Sequence, residues 1–270
     1  MSIFVIDLDG TLLSKSEELE AHVVLNLIQI QKMGHRIIVA SGRTYSEAIA
    51  IIKKLELEKY SGAAVLADGQ YVFDYRTGEE YVRERLMTED IQRIIKEIGA
   101  FKCPLKVFSK DGTSLIFSTK YCLKYLKYFI ARLLKRSRER LIDIGQLGNI
   151  LEADKIAVDP SVNVENIRND YEVAYINDKC RYEIKQKNVN KASSVRQILG
   201  KSSDNVFVFG NDENDICLFK EFPNSYVMDN STDTVKSYAK HIIFTCEGET
   251  VSSEILRIIG TEGIEKVETL

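Results

Sequence analysis

The sequence predicts an α/β fold: a doubly wound, mostly parallel sheet core with an inserted α+β segment. Three observations lead to this prediction. Short apolar runs alternate with helical periodicity over the first 80 residues, and the same alternation returns near the carboxy end. Between them, from about Leu86 to Cys180, helical stretches mix with alternating or polar strands. Strands that alternate with helices are typical of βαβ units and parallel sheets, so we interpret the middle as an insertion.

The amino-terminal part contains short apolar runs of the kind expected for strands that are buried on both faces. These predicted strands are Ile3–Ile6, Arg36–Ala40 and Ala63–Ala67, with Tyr71–Phe73 as a hairpin partner of the third. Apolar residues at helical spacing predict the helices between them. One helix follows a capping-box pair, Ser14 and Glu17, and ends at Gly34, and the next extends from Thr44 to Leu57.

The remaining elements follow from the same two periodicities. In the middle, the predicted helices are Glu89–Ile98 and Tyr121–Arg140, and the predicted strands are Leu105–Phe108, Ser114–Phe117, Lys155–Val158 and Glu172–Ile176. In the carboxy-terminal part, the predicted strands are Asn205–Phe209, Ser225–Met228 and His241–Phe244, and the predicted helices include Asp233–Ala239 and Ser252–Ile259.

Composition and charge exclude several classes of protein. The 270 residues carry 37 basic and 40 acidic side chains, a net charge of −3, so no overall basic field supports nucleic-acid binding. The five cysteines include no C-x-x-C pair, which argues against a disulfide scaffold or a zinc ribbon. No apolar stretch reaches the ~20 residues that span a bilayer, and the amino terminus lacks the features of a secretory signal. We therefore expect one to two domains, no nucleic-acid or membrane partner, and a cytoplasmic location; the oligomeric state stays open.

The motif Asp7-Leu8-Asp9-Gly10-Thr11 directly follows the first predicted strand. Open α/β sheets bind their ligands at the carboxyl ends of the strands, which is where these two carboxylates stand. A D-x-D-G-T match arises by chance in roughly one chain in several hundred. The alternative interpretation is a simple turn, since Asp and Gly are common after strands.

Three further motifs stand at predicted strand ends or helix starts. Ser41-Gly42-Arg43 follows the second strand and offers a hydroxyl and backbone N–H groups that suit a phosphate. Lys191 opens a predicted helix and suits the neutralisation of a phosphoryl oxygen. The loop from Gly210 to Asp215 offers the oxygen ligands that hard cations prefer. Taken singly, these are a helix cap with a turn, a surface lysine and a polar capping loop. Together they converge on one edge of a doubly wound sheet.

With these motifs the chain resembles the haloacid dehalogenase superfamily, specifically the Cof-type phosphatases. The matching residues are DLDGT at 7–11, SGR at 41–43, E-I-x-x-x-x-V-x-K from Glu183 to Lys191, and G-N-x-x-N-D from Gly210 to Asp215. The resemblance covers essentially the whole chain and implies a Rossmann-like core with an inserted cap. We place the catalytic core at residues 1–84 and 181–270 and the α/β cap at residues 85–180. The 34 residues from Asp7 to Ser41 hold just one βαβ unit, whereas the 150 from Ser41 to Lys191 leave room for the cap.

The resemblance implies a Mg²⁺-dependent phosphatase of small phosphorylated metabolites, with sugar phosphates as the substrate class. Its catalytic residues would be Asp7, the nucleophile that forms an aspartyl-phosphate, and Asp9, the general acid and base. The residues expected to bind the phosphate are Thr11, Ser41, Gly42, Lys191 and Asn214. The residues expected to hold Mg²⁺ are Asp7, Asp9 through its backbone carbonyl, Asn211 and Asp215.

The chain departs from the family's pattern in three places. The family usually has Gly-Asp where this chain has Gly210-Asn211, Asn-Gly where it has Asp68-Gly69, and Lys-Gly where it has Lys191-Ala192. We expect the side-chain oxygen of Asn211 to bind the cation, with Asp212 as the alternative ligand. Two other functions stay open: a phosphotransferase or mutase that uses the same aspartyl-phosphate, and a catalytically silent sensor of phosphorylated ligands. The presence of both carboxylates in the first motif disfavours the sensor.

Overall fold

The computed structural model describes residues 1–13, 18–99, 105–109, 112–118, 140–150, 152–176, 180–200, 205–244 and 249–268. They form two compact units: the first comprises Met1–Val82 with Asn190–Leu270, and the second comprises Arg83–Val189. We expected the second boundary at residues 180 and 181. It lies after Val189 instead, because the strand Arg181–Gln186 pairs with two strands of the second unit.

Strands and α-helices are numbered separately in chain order. The described strands are β1 (Ile3–Ile6), β2 (Arg36–Ala40), β3 (Ala63–Leu66), β4 (Tyr71–Asp74), β5 (Glu79–Val82), β6 (Leu86–Met87), β7 (Leu105–Ser109), β8 (Gly112–Phe117), β9 (Arg140–Asp143), β10 (Glu152–Ala153), β11 (Lys155–Val158), β12 (Tyr171–Ile176), β13 (Arg181–Gln186), β14 (Val206–Gly210), β15 (Asn224–Met228) and β16 (His241–Ile243). The described α-helices are α1 (Ala21–Lys32), α2 (Tyr45–Lys54), α3 (Thr88–Glu97), α4 (Lys191–Leu199), α5 (Ile216–Glu221), α6 (Asp233–Lys236) and α7 (Glu249–Glu268).

The first unit is built on an eight-stranded sheet in the order β16-β15-β14-β1-β2-β3-β4-β5. The strands from β16 to β3 are parallel, and β4 and β5 continue the sheet as an antiparallel hairpin. Strand β1 lies in the interior of the sheet, where Ile3 is in register with Val206 on one side and with Arg36 on the other. Such a central strand is buried on both faces, which explains its uninterrupted apolar sequence.

Helices cover both faces of this sheet. Apolar side chains of α1, α2 and α7 pack with Phe4 and Ile6 on one face. Those of α4, α5 and α6 pack with Val5 on the other. This arrangement is the doubly wound α/β architecture, and it confirms the predicted fold class. Among the described residues, no helix combines the length and the apolar character that a membrane span requires.

The second unit contains a six-stranded sheet in the order β12-β13-β11-β7-β8-β9 and the short pair β6 and β10. All neighbouring strands of the larger sheet are antiparallel except β8 and β9. Helix α3 contributes Ile91, Ile94 and Ile95 to an apolar cluster that includes side chains of this sheet, among them Ile156 and Ile184. The unit is therefore an α+β fold, as the mixed pattern of the middle segment predicts.

The structure confirms most of the predicted elements and corrects a few. Helix α2 ends at Lys54 rather than Leu57, and Glu56 has a positive φ of 50° that no helix accommodates. The helix predicted at Asp233–Ala239 is the single turn α6. Strand β5 is missing from the sequence prediction because three of its four residues are exposed, so it has no apolar alternation. The capping-box pair Ser14 and Glu17 lies outside the described residues. So does the helix predicted at Tyr121–Arg140, except for Arg140, which is the first residue of strand β9.

Candidate active site

The four motifs meet at the carboxyl ends of β14, β1, β2 and β3, which are neighbours in the parallel sheet. Backbone hydrogen bonds fix the loops to one another. The N–H of Asp7 donates to the carbonyl of Phe209 at 3.0 Å, and that of Ser41 donates to Val65 at 2.8 Å. The N–H of Asp68, one turn after β3, donates to the carbonyl of Ser41 at 3.1 Å. The loops therefore form one continuous surface at the edge of the sheet where open α/β proteins bind ligands.

Lys191 lies at the centre of the site, between two buried carboxylates. Its Nζ donates to Oδ1 of Asp7 at 2.6 Å and to Oδ1 of Asp215 at 2.7 Å. The lysine side chain is completely buried, so the alternative interpretation as a surface lysine is wrong. Burial alone would lower the pKa of Lys191, but the neighbouring Asp215, Asp7 and Asp68 raise it well above its usual value. Lys191 is therefore a permanent positive charge at the site.

The position of Lys191 follows from the start of α4. Asn190 caps this helix: its side-chain oxygen accepts a hydrogen bond from the N–H of Ser193 at 2.9 Å. Because the helix begins at residue 191, the lysine side chain leaves the first turn toward the sheet edge and reaches the two carboxylates. The helix is fixed further by Ser194, whose hydroxyl donates to the carbonyl of Gly69 at 2.7 Å.

Asp7 is the buried carboxylate that directly follows β1. Burial, followed by the charges of Asp215 and Asp9, raises the pKa of Asp7 to about 8, and the opposing effect of Lys191 is smaller than these together. Burial is the largest cause of this shift, and the neighbouring negative charges add to it because they disfavour one more ionised carboxylate. Lys191 and Arg43 are close to four carboxylates: Asp7, Asp9, Asp68 and Asp215. When all are ionised, two negative charges are in excess, which a divalent cation would balance.

The loop after β14 is organised around Asp215. Oδ2 of Asp215 accepts hydrogen bonds from the N–H groups of Asn211 at 2.9 Å and Asp212 at 3.2 Å, while its Oδ1 accepts from Lys191. A Cβ on Gly210 would lie 2.5 Å from Cγ of Asp215, so this close packing requires glycine. Asp212 in turn accepts from the N–H of Glu213 at 2.8 Å, in the manner of a helix cap. Asp215 thus holds the loop and the lysine, and its expected role as a metal ligand stays a prediction.

Asn211 faces the first motif. The hydroxyl of Thr11 donates to Oδ1 of Asn211 at 3.4 Å, and both side chains are buried. A Cβ on Gly10 would lie only 2.2 Å from Nδ2 of Asn211, and Gly10 also has a φ of +76°. Glycine in the D-x-D-G-T motif is therefore required both by the backbone conformation and by the amide that packs against it.

Asn214 contacts a carboxylate that the sequence motifs do not include. Its Nδ2 donates to Oδ1 of Asp68 at 2.8 Å, and Asp68 is only 2% exposed with a left-handed φ of 55°. The same carboxylate lies 3.2 Å from the position that a Cβ on Gly42 would occupy. Asp68 therefore connects the loops after β2, β3 and β14. The sequence signal for it is an Asp-Gly pair at the end of a predicted strand, which also describes an ordinary turn.

Arg43 is a second residue whose role the motifs alone do not indicate. Its guanidinium contacts the carboxylate of Asp9: Nη2 lies 2.6 Å from Oδ1, and Nε lies 3.2 Å from Oδ1 and 3.1 Å from Oδ2. The backbone N–H of Arg43 donates to the hydroxyl oxygen of Ser41 at 3.2 Å, and Ser41 is completely buried. The S-G-R motif thus connects the second strand to the second carboxylate of the first motif.

The oxygen atoms of the site fit a hard divalent cation. Asp7 offers a carboxylate oxygen, Asn211 an amide oxygen and Asp9 a backbone carbonyl, all of which are ligand types that Mg²⁺ accepts. Within the described part of the chain, no group of three or more His, Cys, Asp or Glu side chains is arranged to hold a metal ion. A cation at this edge would therefore depend on the amide and backbone oxygens in addition to Asp7.

Known proteins are similar to this chain over most of its length. A family profile described as haloacid dehalogenase-like hydrolase matches residues 4–255. The 5-amino-6-(5-phospho-D-ribitylamino)uracil phosphatase YcsE of Bacillus subtilis is 22% identical over 251 residues, covering 91% of this chain and 90% of the relative. The phosphatase YbjI of Escherichia coli, named for the same substrate, is 23% identical over 252 residues and 89% of this chain, and 90% of its own length is covered.

A solved structure described as the HAD subclass IIB sugar phosphatase BT4131 has the same fold. It superposes with a TM-score of 0.76 at 15% identity, and the match covers 96% of this chain and 99% of the other.

Proposed function

Since the chain belongs to the haloacid dehalogenase-like hydrolase family, we propose that it is a Mg²⁺-dependent phosphatase of small phosphorylated metabolites. Sugar and polyol phosphates are the proposed substrate class. Two relatives act on a phosphoribitylamino compound, and a protein of the same fold is a sugar phosphatase, which supports this class. The proposal includes a cytoplasmic location, which five widely spread cysteines without a C-x-x-C pair suit.

The observation that carries the proposal is the placement of Asp7 against the buried Lys191, with a second carboxylate of the same motif, Asp9, held by Arg43. Phosphate monoesters hydrolyse extremely slowly in water, because the dianion repels nucleophiles and the alkoxide is a poor leaving group. The site addresses both obstacles. Lys191 provides a fixed positive charge beside the Asp7 carboxylate, and Asp9 is a second carboxyl group that is partly exposed and so accessible to a substrate.

In the proposed first step, a carboxylate oxygen of Asp7 attacks phosphorus and forms an aspartyl-phosphate, while the bond from phosphorus to the ester oxygen breaks. Asp9 donates a proton to that departing oxygen. In the second step, Asp9 takes a proton from water as the water oxygen attacks phosphorus, which releases Asp7 and inorganic phosphate. A bound Mg²⁺ would supply charge neutralisation between the Asp7 carboxylate and the phosphoryl group.

The remaining motif residues would bind the phosphoryl oxygens. Ser41 and the N–H of Gly42 precede α2, and Thr11 closes the first motif, so they offer hydroxyl and N–H donors. Lys191 offers charge, and Asn214, which Asp68 holds, offers an amide. Each of these donors would stabilise the charge that develops on the phosphoryl oxygens.

Phosphate release from a panel of phosphorylated metabolites tests the proposal. With Mg²⁺ and no acceptor other than water, the chain should release phosphate from at least one sugar or polyol phosphate. Asp7→Asn should abolish this turnover, because an amide cannot act as the nucleophile. Asp233→Asn, an exposed aspartate of the same unit, is the matched control and should retain activity. Release that requires a second phosphate acceptor would instead indicate a phosphotransferase or mutase. Activity above background in Asp7→Asn would refute the assigned nucleophile.

A further inference from the structure

Arg43 has a position that phosphate binding by the S-G-R motif does not explain. Two nitrogen atoms of its guanidinium, Nε and Nη2, donate hydrogen bonds to the Asp9 carboxylate, with three N···O distances between 2.6 and 3.2 Å. A guanidinium that contacts a carboxylate through two donors fixes both the position and the rotation of that group, which a single hydrogen bond does not. Asp9 is still 35% exposed, whereas the arginine is 14% exposed.

The arginine is itself fixed by the first unit. Its N–H donates to Ser41, and its carbonyl accepts from the N–H of Ala67 at 2.8 Å. The next residue, Thr44, caps α2 together with Glu47, whose carboxylate accepts from the N–H of Thr44 at 2.8 Å. The backbone of Arg43 is thus held by the end of β3 on one side and by a capped helix on the other. The guanidinium therefore extends from a backbone that is held at both ends, and its side chain is mostly buried.

Arg43 contacts both oxygens of Asp9. Nη2 lies 2.6 Å from Oδ1, and Nε lies 3.2 Å from Oδ1 and 3.1 Å from Oδ2. We propose that Arg43 is a positioning residue for the reaction: it fixes the position and rotation of the Asp9 carboxyl group, which exchanges the proton with the leaving-group oxygen and then with water. This inference rests on the proposed phosphatase function and assigns a residue to the proton-transfer part of it.

A leaving-group comparison separates this role from simple phosphate binding. Phenyl phosphate has a poor leaving group that needs a proton, whereas 4-nitrophenyl phosphate has a good one that departs with little help. Hydrolysis of the aspartyl-phosphate is common to both esters, so the comparison uses kcat/KM, which covers the steps up to departure of the leaving group. Arg43→Ala should lower kcat/KM about 10- to 100-fold for phenyl phosphate, a part of the ~10²–10⁴ typical of general acid–base catalysis. For 4-nitrophenyl phosphate kcat/KM should fall by less than about 3-fold, because its leaving group needs little help from a proton donor.

A double-mutant cycle then tests whether Arg43 acts through Asp9. In the Asp9→Asn background, Arg43→Ala should cause no further loss, because the group that it positions is already inactive. Arg43→Lys keeps the positive charge but cannot contact the carboxylate through two nitrogen atoms. It should show the same leaving-group dependence to a smaller degree. Added guanidinium chloride at low millimolar concentration should restore part of the activity of Arg43→Ala. Arg76→Ala, a half-exposed arginine elsewhere in the unit, is the control and should behave as the unaltered chain.

The outcomes distinguish this inference from the function on which it rests. Equal losses in kcat/KM with both esters, or a full additional loss in the Asp9→Asn background, would overturn the positioning role and make Arg43 a phosphate ligand or a structural residue. Turnover of both esters by the unaltered chain would leave the phosphatase function intact in that case. If the unaltered chain releases no phosphate from any ester, the proposed function fails, and the inference fails with it.

Discussion

At the scale of single residues, Asn211 contributes an uncharged amide to the site, at the position where the family resemblance leads us to expect a carboxylate. It packs against Gly10 and Thr11. An amide oxygen is a competent ligand for a hard cation, but it contributes no negative charge. Asp212, the alternative ligand, caps the N–H of Glu213 instead, so the structure favours Asn211 as the loop residue that faces the first motif.

Asn211→Asp should therefore tighten Mg²⁺ binding without abolishing turnover, because it adds one negative charge against the first motif. The measurement is the concentration of Mg²⁺ that gives half of the maximal rise in thermal unfolding temperature, which needs no substrate. Asp212→Asn is the matched control and should change this concentration little. If Asn211→Ala leaves the Mg²⁺ response unchanged while Asp212→Ala removes it, Asp212 is the ligand and our assignment is wrong.

At the scale of elements, a buried ion pair connects three neighbouring strands of the first unit. Arg36, the first residue of β2, contacts Asp74, the last residue of β4, and its Nε donates to the carbonyl of Ser61 at 2.9 Å, just before β3. Both charged side chains are 4% exposed. Burial lowers the pKa of Arg36 although Asp74 opposes this shift. The pair therefore holds the antiparallel hairpin against the parallel part of the sheet.

Asp74→Ala should destabilise the protein by about 3–5 kcal/mol, because it leaves the Arg36 guanidinium buried without its carboxylate. Urea-induced unfolding followed by circular dichroism measures this loss. Arg257→Ala breaks an exposed pair with Glu254 inside one helix and should cost less than about 1 kcal/mol. Equal effects of the two substitutions would contradict the assigned importance of the strand-connecting pair.

Hydrophobic periodicity in the sequence predicts the strands and helices whose buried residues repeat regularly along the chain. It fails for strands that form only by pairing with a segment distant in the sequence. The strands β1, β2 and β14 are predicted because both faces are buried and their sequences are uniformly apolar. Strand β10 has two residues and exists only because it pairs with β6, more than 60 residues earlier, and no local pattern encodes that pairing. The same holds for the site. The motifs are short continuous stretches that the sequence reveals, whereas the contacts of Arg43 with Asp9 and of Asp68 with Asn214 join different loops and are visible only in the structure.

At the scale of the whole molecule, the titration of one site residue makes the free energy of unfolding depend on pH. In the chain without Mg²⁺, burial and the neighbouring carboxylates raise the pKa of Asp7 to about 8, whereas that of an unfolded aspartate is about 4. Between these two pH values the folded chain binds more protons at this position than the unfolded chain. The contribution of Asp7 to the free energy of unfolding is therefore fully present below pH ~4 and is lost as the pH rises to about 8.

Without Mg²⁺, the unfolding temperature of the unaltered chain should fall relative to that of Asp7→Asn as the pH is raised from 6 to about 8.5. Calorimetric or fluorescence-detected melts at several pH values measure this difference. Saturating Mg²⁺ should reduce it, because a cation beside Asp7 favours the ionised form. Asp233→Asn should follow the unaltered chain throughout. Parallel curves for the unaltered chain and Asp7→Asn would show that Asp7 does not titrate in this range.

The order of strands in the large sheet also determines when the molecule can be completed during synthesis on the ribosome. Strand β1 pairs with β2 on one side. Its other edge stays unpaired until β14 has been synthesised, since Ile3 is in register with Val206. At about 5–20 residues per second, the ribosome needs roughly 10 to 40 s to make the intervening chain. During that time the second unit, which is one continuous stretch from Arg83 to Val189, is complete in the nascent chain. The unpaired edge of β1 is then a site where a chaperone would bind and where neighbouring nascent chains could associate.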